Sequence, residues 1–194
     1  LSRTTDLTSA VILAEKDGIL YAFPKFWMPS ERVAEMTERD GIPYNIYIQK
    51  GYLNKSGDNF IDYRDCFAWF ESLIRDYEIY PLKVGYDRYS SQYLIQDLEG
   101  AGFQCDSVFQ GDNLWPVLQE LEGIIKDKRI TIGNNPLMKM HLLNSAIKMN
   151  TERGRGKLVK ITPTAHIDGT AALADALTVR QKWYSEIGYQ LKNE

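Results

Sequence analysis

The order of apolar and polar positions predicts that the chain opens with a hairpin of two strands. Residues 7–15 form an apolar run, residues 16–18 (Lys-Asp-Gly) are typical of a tight turn, and residues 19–27 return as the second strand. Residues 31–40 are polar and helix-prone, and they end before a glycine. The alternation over residues 44–49 predicts a further strand.

The rest of the chain alternates between strands and helices. Residues 150–156 are polar and interrupted by glycines, which predicts a mobile loop. Hairpins followed by strand–helix alternation are typical of an α/β fold with a mixed central sheet and helices on both faces. The apolar spacing predicts helices over 62–77, 89–99, 114–128, 136–149 and 171–184, and strands over 82–86, 103–109 and 157–161.

Composition excludes several classes of protein. The 194 residues carry 23 basic and 26 acidic side chains, and 44% of them are hydrophobic, so we expect one domain over 1–194 with an ordinary core. At a net charge of -3, a polyanion must bind through a local patch. No apolar run reaches the roughly 20 residues of a membrane span. The two cysteines favour a reducing compartment, and the phosphate-binding loop of nucleotide-driven motors is absent.

Two aspartates stand at predicted element ends. Asp87 follows the strand over 82–86, and Asp168 precedes the alanine-rich helix over 171–184. Ligands of open α/β sheets bind beside the carboxyl ends of strands, although either aspartate is equally suited to be a helix N-cap. Carboxylates from separate elements, without a cluster of His or Cys, suit hard cations such as Mg²⁺ or Mn²⁺.

For three other polar residues, Asp175, His141 and His166, the sequence predicts a role less specifically. Asp175 lies two helical turns beyond Asp168, about 10 Å along the axis, too far for both carboxylates to share one ion. We predict that Asp175 acts behind the metal ligands or beside DNA, with a plain solvated acid as the equal alternative. His141 and His166 lack ligand spacing to any cysteine, so zinc is disfavoured, and His141 is predicted to lie on a helix surface.

A basic segment precedes Asp168. Between Lys148 and Lys160, five basic residues oppose only Glu152, which gives +4 in a chain whose total is -3. Charge runs are most often solvated loops. Arginines interleaved with glycines can also follow a phosphate backbone without reading bases. The basic residues are Lys148, Arg153, Arg155, Lys157 and Lys160.

Several strings resemble, in order along the whole chain, the nuclease domain of the large terminase subunit of tailed bacteriophages. They are LSRTTDLTSA at 1–10, VGYDRY at 84–89, FQG at 109–111, GNNP at 133–136, Asn144 and HIDGTAAL at 166–173. The resemblance implies an RNase H-like fold and a metal-dependent endonuclease that cuts concatemeric viral DNA during genome packaging. It also implies three acids that hold two Mg²⁺ or Mn²⁺ ions, and Asp87 and Asp168 match two of them.

The third acid of the family ends the first strand, in an Asp-Leu-Ser string, whereas this sequence begins at Leu1-Ser2. We expect that acid and its strand upstream of Leu1. Because that strand is central in the fold, its absence would leave a gap in the sheet. Asp6 matches a later aspartate of the same motif, and the alternative is that Asp6 itself serves near the metals.

The resemblance also implies roles and partners. Arg153, Arg155 and Lys157 would hold the backbone of double-stranded DNA. Lys160 would neutralise the scissile phosphate or be an ordinary strand lysine, and Arg88 would orient Asp87 or contact DNA. The implied partners are an ATPase domain of the same full-length subunit, the small terminase subunit and the portal, in the cytoplasm of the host cell. The rival hypotheses are a catalytically silent RNase H-like module that docks DNA or a packaging partner and, more distantly, a sugar or ester hydrolase.

Overall fold

Strands and helices are mixed along the chain, as predicted for an α/β fold. The computed structural model describes residues 7–88 and 92–190. Its strands are β1 (Thr8–Lys16), β2 (Ile19–Pro29), β3 (Asn54–Ser56), β4 (Val84–Asp87), β5 (Cys105–Val108), β6 (Ile130–Thr131), β7 (Ser145–Asn150) and β8 (Arg155–Lys160). Its helices are α1 (Val33–Asp40), α2 (Tyr44–Gln49), α3 (Tyr63–Tyr77), α4 (Gln92–Gly100), α5 (Trp115–Lys126), α6 (Pro136–Leu143), α7 (Asp168–Lys182) and α8 (Tyr184–Gln190).

The opening hairpin has the predicted register and turn. β1 and β2 pair antiparallel from Thr8 opposite Trp27 to Lys16 opposite Ile19. Asp17 and Gly18 between them have φ angles of 53° and 76°, and positive φ at both central residues is typical of tight hairpin turns. β2 also pairs in parallel with the short strands β3 and β6, which completes a four-stranded sheet.

A cavity of about 560 Å³ separates this sheet from the parallel pair β4–β5. Consecutive residues of both strands line it, 9–15 on the β1 side and 82–87 on the β4 side. Consecutive residues of a strand point to opposite faces, so the two strands present their edges to the cavity. Within the described residues, β1 pairs with β2 alone and β4 with β5 alone.

Helix α7 is the central helix of the structure. It packs against β1, β4, α5 and α6, and its Leu173 and Leu177 are fully buried in the main core. The backbone of α7 contacts β4 at Gly85, which has no side chain. A Cβ atom at Gly85 would stand 2.5 Å from the carbonyl oxygen of Asp175. The glycine therefore allows the backbone of α7 to lie directly against β4.

Two predicted elements are wrong in type. Residues 44–49 form helix α2 and not a strand, because Tyr44, Tyr47 and Ile48 are spaced i, i+3 and i+4 and pack together into the main core. The predicted helix over 136–149 ends as α6 at Leu143, and the chain continues as strand β7.

The segment predicted as a mobile loop, 150–156, is largely part of a β-hairpin. β7 and β8 pair antiparallel from Ser145 opposite Lys160 to Asn150 opposite Arg155. Gly156 lies within this ladder and faces the ring of Trp115 on α5, where a Cβ atom would come within 2.9 Å of the ring. The hairpin is therefore seated on α5 through a glycine–tryptophan contact.

Candidate functional site

The two predicted metal ligands are brought to one cavity. Asp87 is the last residue of β4 and Asp168 the first of α7, and both line the cavity between β1 and β4. The same wall includes Asp175 and Gln110, which follows β5. Asp6 lies outside the described residues.

Asp175 is buried, so the alternative of a solvated acid is wrong. Asp175 is 6% exposed, and Gln110 Nε2 donates a hydrogen bond of 2.8 Å to its Oδ1. Burial, together with the negative charge of Asp87, raises the pKa of Asp175 to about 7. The cause of its burial is the close contact between α7 and Gly85.

Asp168 does not serve as a helix N-cap. Helix α7 begins at Asp168 itself, and the N-cap position is Ile167, which has no side-chain hydrogen bond to the helix. A carboxylate in the first turn of a helix is favoured by the helix dipole. The oxygen Oδ2 of Asp168 lies 3.9 Å from His166 Nδ1.

His141 completes the start of α7 from outside the helix, which corrects its predicted place on a helix surface. It is fully buried, and its Nδ1 accepts a hydrogen bond of 2.8 Å from the backbone N–H of Gly169. Burial, followed by the positive fields of His166 and Lys160, lowers the pKa of His141 to about 3. His141 is therefore a neutral acceptor for an otherwise unbonded helix donor.

A buried network joins the end of α1 to the start of α7. His166 Nε2 lies 2.9 Å from Asp40 Oδ2, and both side chains are less than 5% exposed. Asp40 also accepts hydrogen bonds from Arg39 Nε at 2.7 Å and from the Tyr44 hydroxyl at 3.0 Å. The sequence analysis missed this network, because 126 positions separate His166 from Asp40 and no motif marks Asp40.

The basic residues divide between the two faces of the β7–β8 hairpin. Lys148 and Lys157 are directly opposite each other, and Arg155 shares their face by strand alternation. Lys160 is on the other face, which packs on Trp115. Arg153, in the turn, lies with its Nη1 3.4 Å from Asp112 Oδ2.

A second cationic feature stands beside Asp87. The guanidinium of Arg88 lies over the ring of Phe109, 4.1 Å from its centroid, and Phe109 is 49% exposed. The string 109–111 belongs to the family resemblance but carried no predicted role. In the structure, Gln110 of this string lines the cavity and Phe109 lies under the guanidinium of Arg88.

The cavity wall has the donor chemistry of a hard-cation site. Asp87 and Asp168 offer carboxylate oxygens, which suit Mg²⁺ or Mn²⁺ better than zinc, while Asp175 and Gln110 pair with each other in the same wall. The raised pKa of Asp175 reflects a dry wall that already holds negative charge, which a cation would offset. Over residues 7–88 and 92–190, no three His, Cys, Asp or Glu side chains form a group able to hold a metal ion.

Comparisons with known proteins agree on one family. A model described as "Terminase large subunit, endonuclease domain" matches residues 1–182. The large terminase subunit of Enterobacteria phage HK97 is 29% identical over 177 residues, which covers 89% of this chain and 34% of that relative. This chain therefore spans about a third of the length of that curated relative.

Solved structures give the same result. The crystal structure of the HK97 bacteriophage large terminase matches with a TM-score of 0.80 at 27% identity, covering 90% of this chain and 36% of that one. The large terminase nuclease of thermophilic phage G20c matches with a TM-score of 0.60 at 12% identity, covering 92% and 77%. A second structure of that nuclease, with bound magnesium, matches at 0.59 and 13%, with the same coverage. The predicted RNase H-like α/β fold is confirmed.

Proposed function

We propose that this chain, which belongs to the family of terminase large-subunit endonuclease domains, cuts concatemeric viral DNA during genome packaging as a divalent-metal-dependent endonuclease. The observation that supports the proposal is that Asp87 and Asp168, 81 positions apart in the sequence, line one cavity at the end of a strand and the start of a helix. Carboxylates so placed are typical of sites for phosphoryl chemistry with hard cations.

Two Mg²⁺ or Mn²⁺ ions would be held by Asp87, Asp168 and a third acid. The G20c nuclease with bound magnesium is a relative in fold that holds this kind of ion. When bound, the ions supply Lewis acidity, which activates water and offsets the charge that develops on the leaving oxygen. The hydrogen bond from Gln110 holds the carboxyl of Asp175 in the cavity wall, against the repulsion of the Asp87 charge.

We propose that the third acid lies on a strand upstream of Leu1 and that this strand would occupy the cavity between β1 and β4. The exposed edges of these strands offer backbone partners on both sides. A strand parallel to β4 ends at the same edge of the sheet as Asp87, which would bring its last side chain close to Asp87 and Asp168. Asp6 is the alternative third ligand.

DNA would lie along the basic face of the β7–β8 hairpin. Lys148, Arg155 and Lys157 share that face, and Arg153 extends it into the turn. Lys160, on the other face, contributes to the field that lowers the pKa of His141. It is therefore near the start of α7, where it would neutralise the scissile phosphate. Arg88, exposed with Phe109 beside Asp87, would contact DNA at the rim of the cavity.

Replacing Arg153, Arg155 and Lys157 together with alanine is expected to weaken DNA binding and flatten its salt dependence. Each lost phosphate contact lowers the slope of log K against log salt by about 0.9, so the triple variant loses close to 3 if all three bind phosphates. Fluorescence anisotropy with a labelled duplex across a series of salt concentrations measures the slope. A triple variant of exposed cations elsewhere, Lys50, Arg75 and Lys126, controls for net charge. An unaltered slope would show that the hairpin residues touch no phosphate.

Nicking of supercoiled plasmid tests the function directly. The protein, extended upstream to include the proposed strand, is expected to relax and linearise plasmid in Mn²⁺ and to stop when the ion is chelated with EDTA. Cleavage that continues at full rate in EDTA would contradict a metal-dependent nuclease and favour another hydrolase.

The second candidate is a catalytically silent module that docks DNA or a packaging partner. It is favoured by one observation, that the described residues form no group of three metal ligands. This candidate predicts salt-dependent DNA binding without nicking at any Mn²⁺ concentration, including in the extended protein.

The wider setting follows from the family. We propose an ATPase domain in the same full-length subunit, the small terminase subunit and the portal as partners, in the cytoplasm of the host cell. Across the described residues, none of the helices has the length and apolar character to cross a membrane.

A further inference from the structure

An arginine at the end of α1 is held in place by a buried carboxylate. Arg39 Nε donates to Asp40 Oδ1 at 2.7 Å, and Arg39 Nη2 donates to Asp40 Oδ2 at 3.2 Å. The side chain of Asp40 is 3% exposed, whereas that of Arg39 is 44% exposed. Two parallel hydrogen bonds to one carboxylate fix the plane of a guanidinium as well as its position. Arg39 therefore presents a cationic group of fixed orientation at the surface.

The ring of His166 lies between this guanidinium and the predicted ligand Asp168. Arg39 Nη2 is 3.3 Å from His166 Nε2, and His166 Nδ1 is 3.9 Å from Asp168 Oδ2. Arg39 is not part of the lining of the cavity between β1 and β4. It therefore stands outside the wall that contains Asp168, one imidazole ring away from that carboxylate. This placement concerns heavy atoms alone and is the same whichever ring nitrogen carries hydrogen.

The chemistry of Arg39 suits a phosphate of DNA. A guanidinium has five N–H donors and matches the geometry of a phosphate, which it binds through parallel hydrogen bonds. The bonds to Asp40 use the Nε side of the group. Successive phosphates of one DNA strand advance about 3.4 Å along the duplex axis. If the scissile phosphate lies at Asp168, a guanidinium one imidazole ring away is within reach of a phosphate further along the same strand.

We propose that Arg39 is a substrate-binding residue of the nuclease: its guanidinium, oriented by Asp40, binds a DNA phosphate close to the one that is cut. The inference rests on the proposed function, since it places the scissile phosphate at Asp168. It adds a contact from α1 to the cationic surface of the β7–β8 hairpin, so that two distant segments hold the DNA backbone. Phosphate contacts of this kind set the register of DNA without reading its sequence.

The test is the salt dependence of DNA binding by Arg39→Gln, measured by fluorescence anisotropy with a labelled duplex in EDTA on the protein extended upstream. Glutamine Nε2 takes the place of arginine Nε, so the variant keeps a donor to Asp40 and loses the charge. We expect the slope of log K against log salt to fall by about 0.9, the value for one phosphate contact. At about 0.1 M salt this corresponds to binding that is about eightfold weaker.

The nicking assay gives a second readout. Arg39→Gln should raise the plasmid concentration for half-maximal rate by about the same factor, while the rate at saturating plasmid stays within about threefold of the parent. The reason is that Arg39 would bind a phosphate that does not react, so its loss weakens binding and not the chemical step.

Arg75→Gln is the matched control. Arg75 makes the same pair with the residue that follows it, because its Nε is 2.7 Å from Asp76 Oδ1 and its Nη2 is 2.9 Å from Asp76 Oδ2. It lies on α3 and is 68% exposed. This variant loses the same charge and should bind DNA like the parent.

Two further variants separate phosphate binding from folding. Arg39→Lys keeps the charge but not the two parallel bonds to Asp40, and we expect most of the lost slope to return. If Arg39→Gln does not fold, the double variant of Arg39→Gln and Asp40→Asn removes the buried charge together with its partner. That double variant should lose the same slope.

The outcomes distinguish this inference from the proposed function. A folded Arg39→Gln protein with the slope of Arg75→Gln overturns the inference, and the function stands if the parent nicks plasmid in Mn²⁺. Equal losses of slope in the two variants also overturn the inference, since they would reflect net charge and not a contact near Asp168. The same holds if Arg39→Lys loses as much slope as Arg39→Gln, because the role of Arg39 would then be structural. A parent protein that neither binds DNA nor nicks plasmid overturns both.

Discussion

Asp168→Asn is expected to abolish metal-dependent nicking of plasmid while leaving the domain folded. The change removes one negative charge and keeps the shape of the side chain, at the first residue of α7 where it lines the cavity with Asp87. Metal ions contribute several kcal/mol to the stabilisation of such transition states. Since about 1.4 kcal/mol corresponds to a factor of ten, loss of a ligand should lower the rate by about a thousandfold or more.

The measurement is the initial rate of supercoiled-plasmid loss in Mn²⁺, with circular dichroism and thermal unfolding to establish the fold. Asp127→Asn is the matched control, because Asp127 is 61% exposed at the end of α5 and pairs only with its neighbour Arg129 among the described contacts. It should cut like the parent. A folded Asp168→Asn protein that nicks plasmid at the parental rate would eliminate the proposed site.

The second large effect is a pair of opposing pH dependences of stability. In the folded chain the pKa of His141 is lowered from 6.5 to about 3, and the pKa of Asp175 is raised from 3.8 to about 7. Between pH 6.5 and about 3, His141 is protonated in the unfolded state but not in the folded state. This residue therefore makes stability fall as the pH drops below about 6.5. The folded state retains the proton of Asp175 longer, so this residue makes stability fall as pH rises from about 4 to 7.

Single variants should expose the two contributions, which largely cancel in the parent. At pH 5 the His141 contribution costs about 2 kcal/mol relative to neutral pH, and the Asp175 contribution changes by a similar amount in the opposite sense. Against the parent, Asp175→Asn should lose stability more steeply on acidification, and His141→Asn should gain it. His141→Asn keeps an acceptor near the position of Nδ1, so that helix α7 retains its partner.

Urea unfolding in EDTA at intervals from pH 4.5 to 7.5 measures both slopes. The comparison concerns the slope and not the absolute stability, which both variants will lower by disturbing buried contacts. Parallel pH profiles for the parent and both variants would show that neither residue is perturbed as described.

Local patterns in the sequence predicted well where Asp87 and Asp168 lie in the fold. Asp87 and Asp168 lie at element boundaries because strand and helix periodicity are properties of neighbouring residues, and both boundaries are within a few residues of those predicted. The family resemblance is confirmed as well. The roles of Asp87, Asp168 and the basic residues stay predictions until they are tested.

Burial of polar residues could not be predicted in the same way. Asp175 and His141 are polar side chains on helices, and local sequence gives each the character of a surface residue. Asp175 is buried because Gly85, 90 positions earlier, offers no side chain to keep α7 away. His141 is buried because it bonds the start of α7 and packs edge-on against Phe26. Both causes are contacts between distant segments.

The mistaken elements have the same origin. Residues 145–150 have apolar positions that continue the helical spacing of α6, but their partner is β8, and strand pairing outweighs helix propensity where a second strand is available. For residues 44–49, a short run with apolar residues at both spacings suits helix and strand alike, and packing against the main core decides for the helix.

The absence of a side chain at Gly85 couples the geometry of the site to one interatomic contact. Asp168 and Asp175 belong to the same rigid helix, and the backbone of that helix rests on position 85 of the strand that ends in Asp87. A side chain at position 85 would push α7 away from β4. Asp168 and Asp175 would then move together relative to Asp87. A substitution at position 85 is therefore expected to change the distances from Asp87 to both acids, and not to one of them alone.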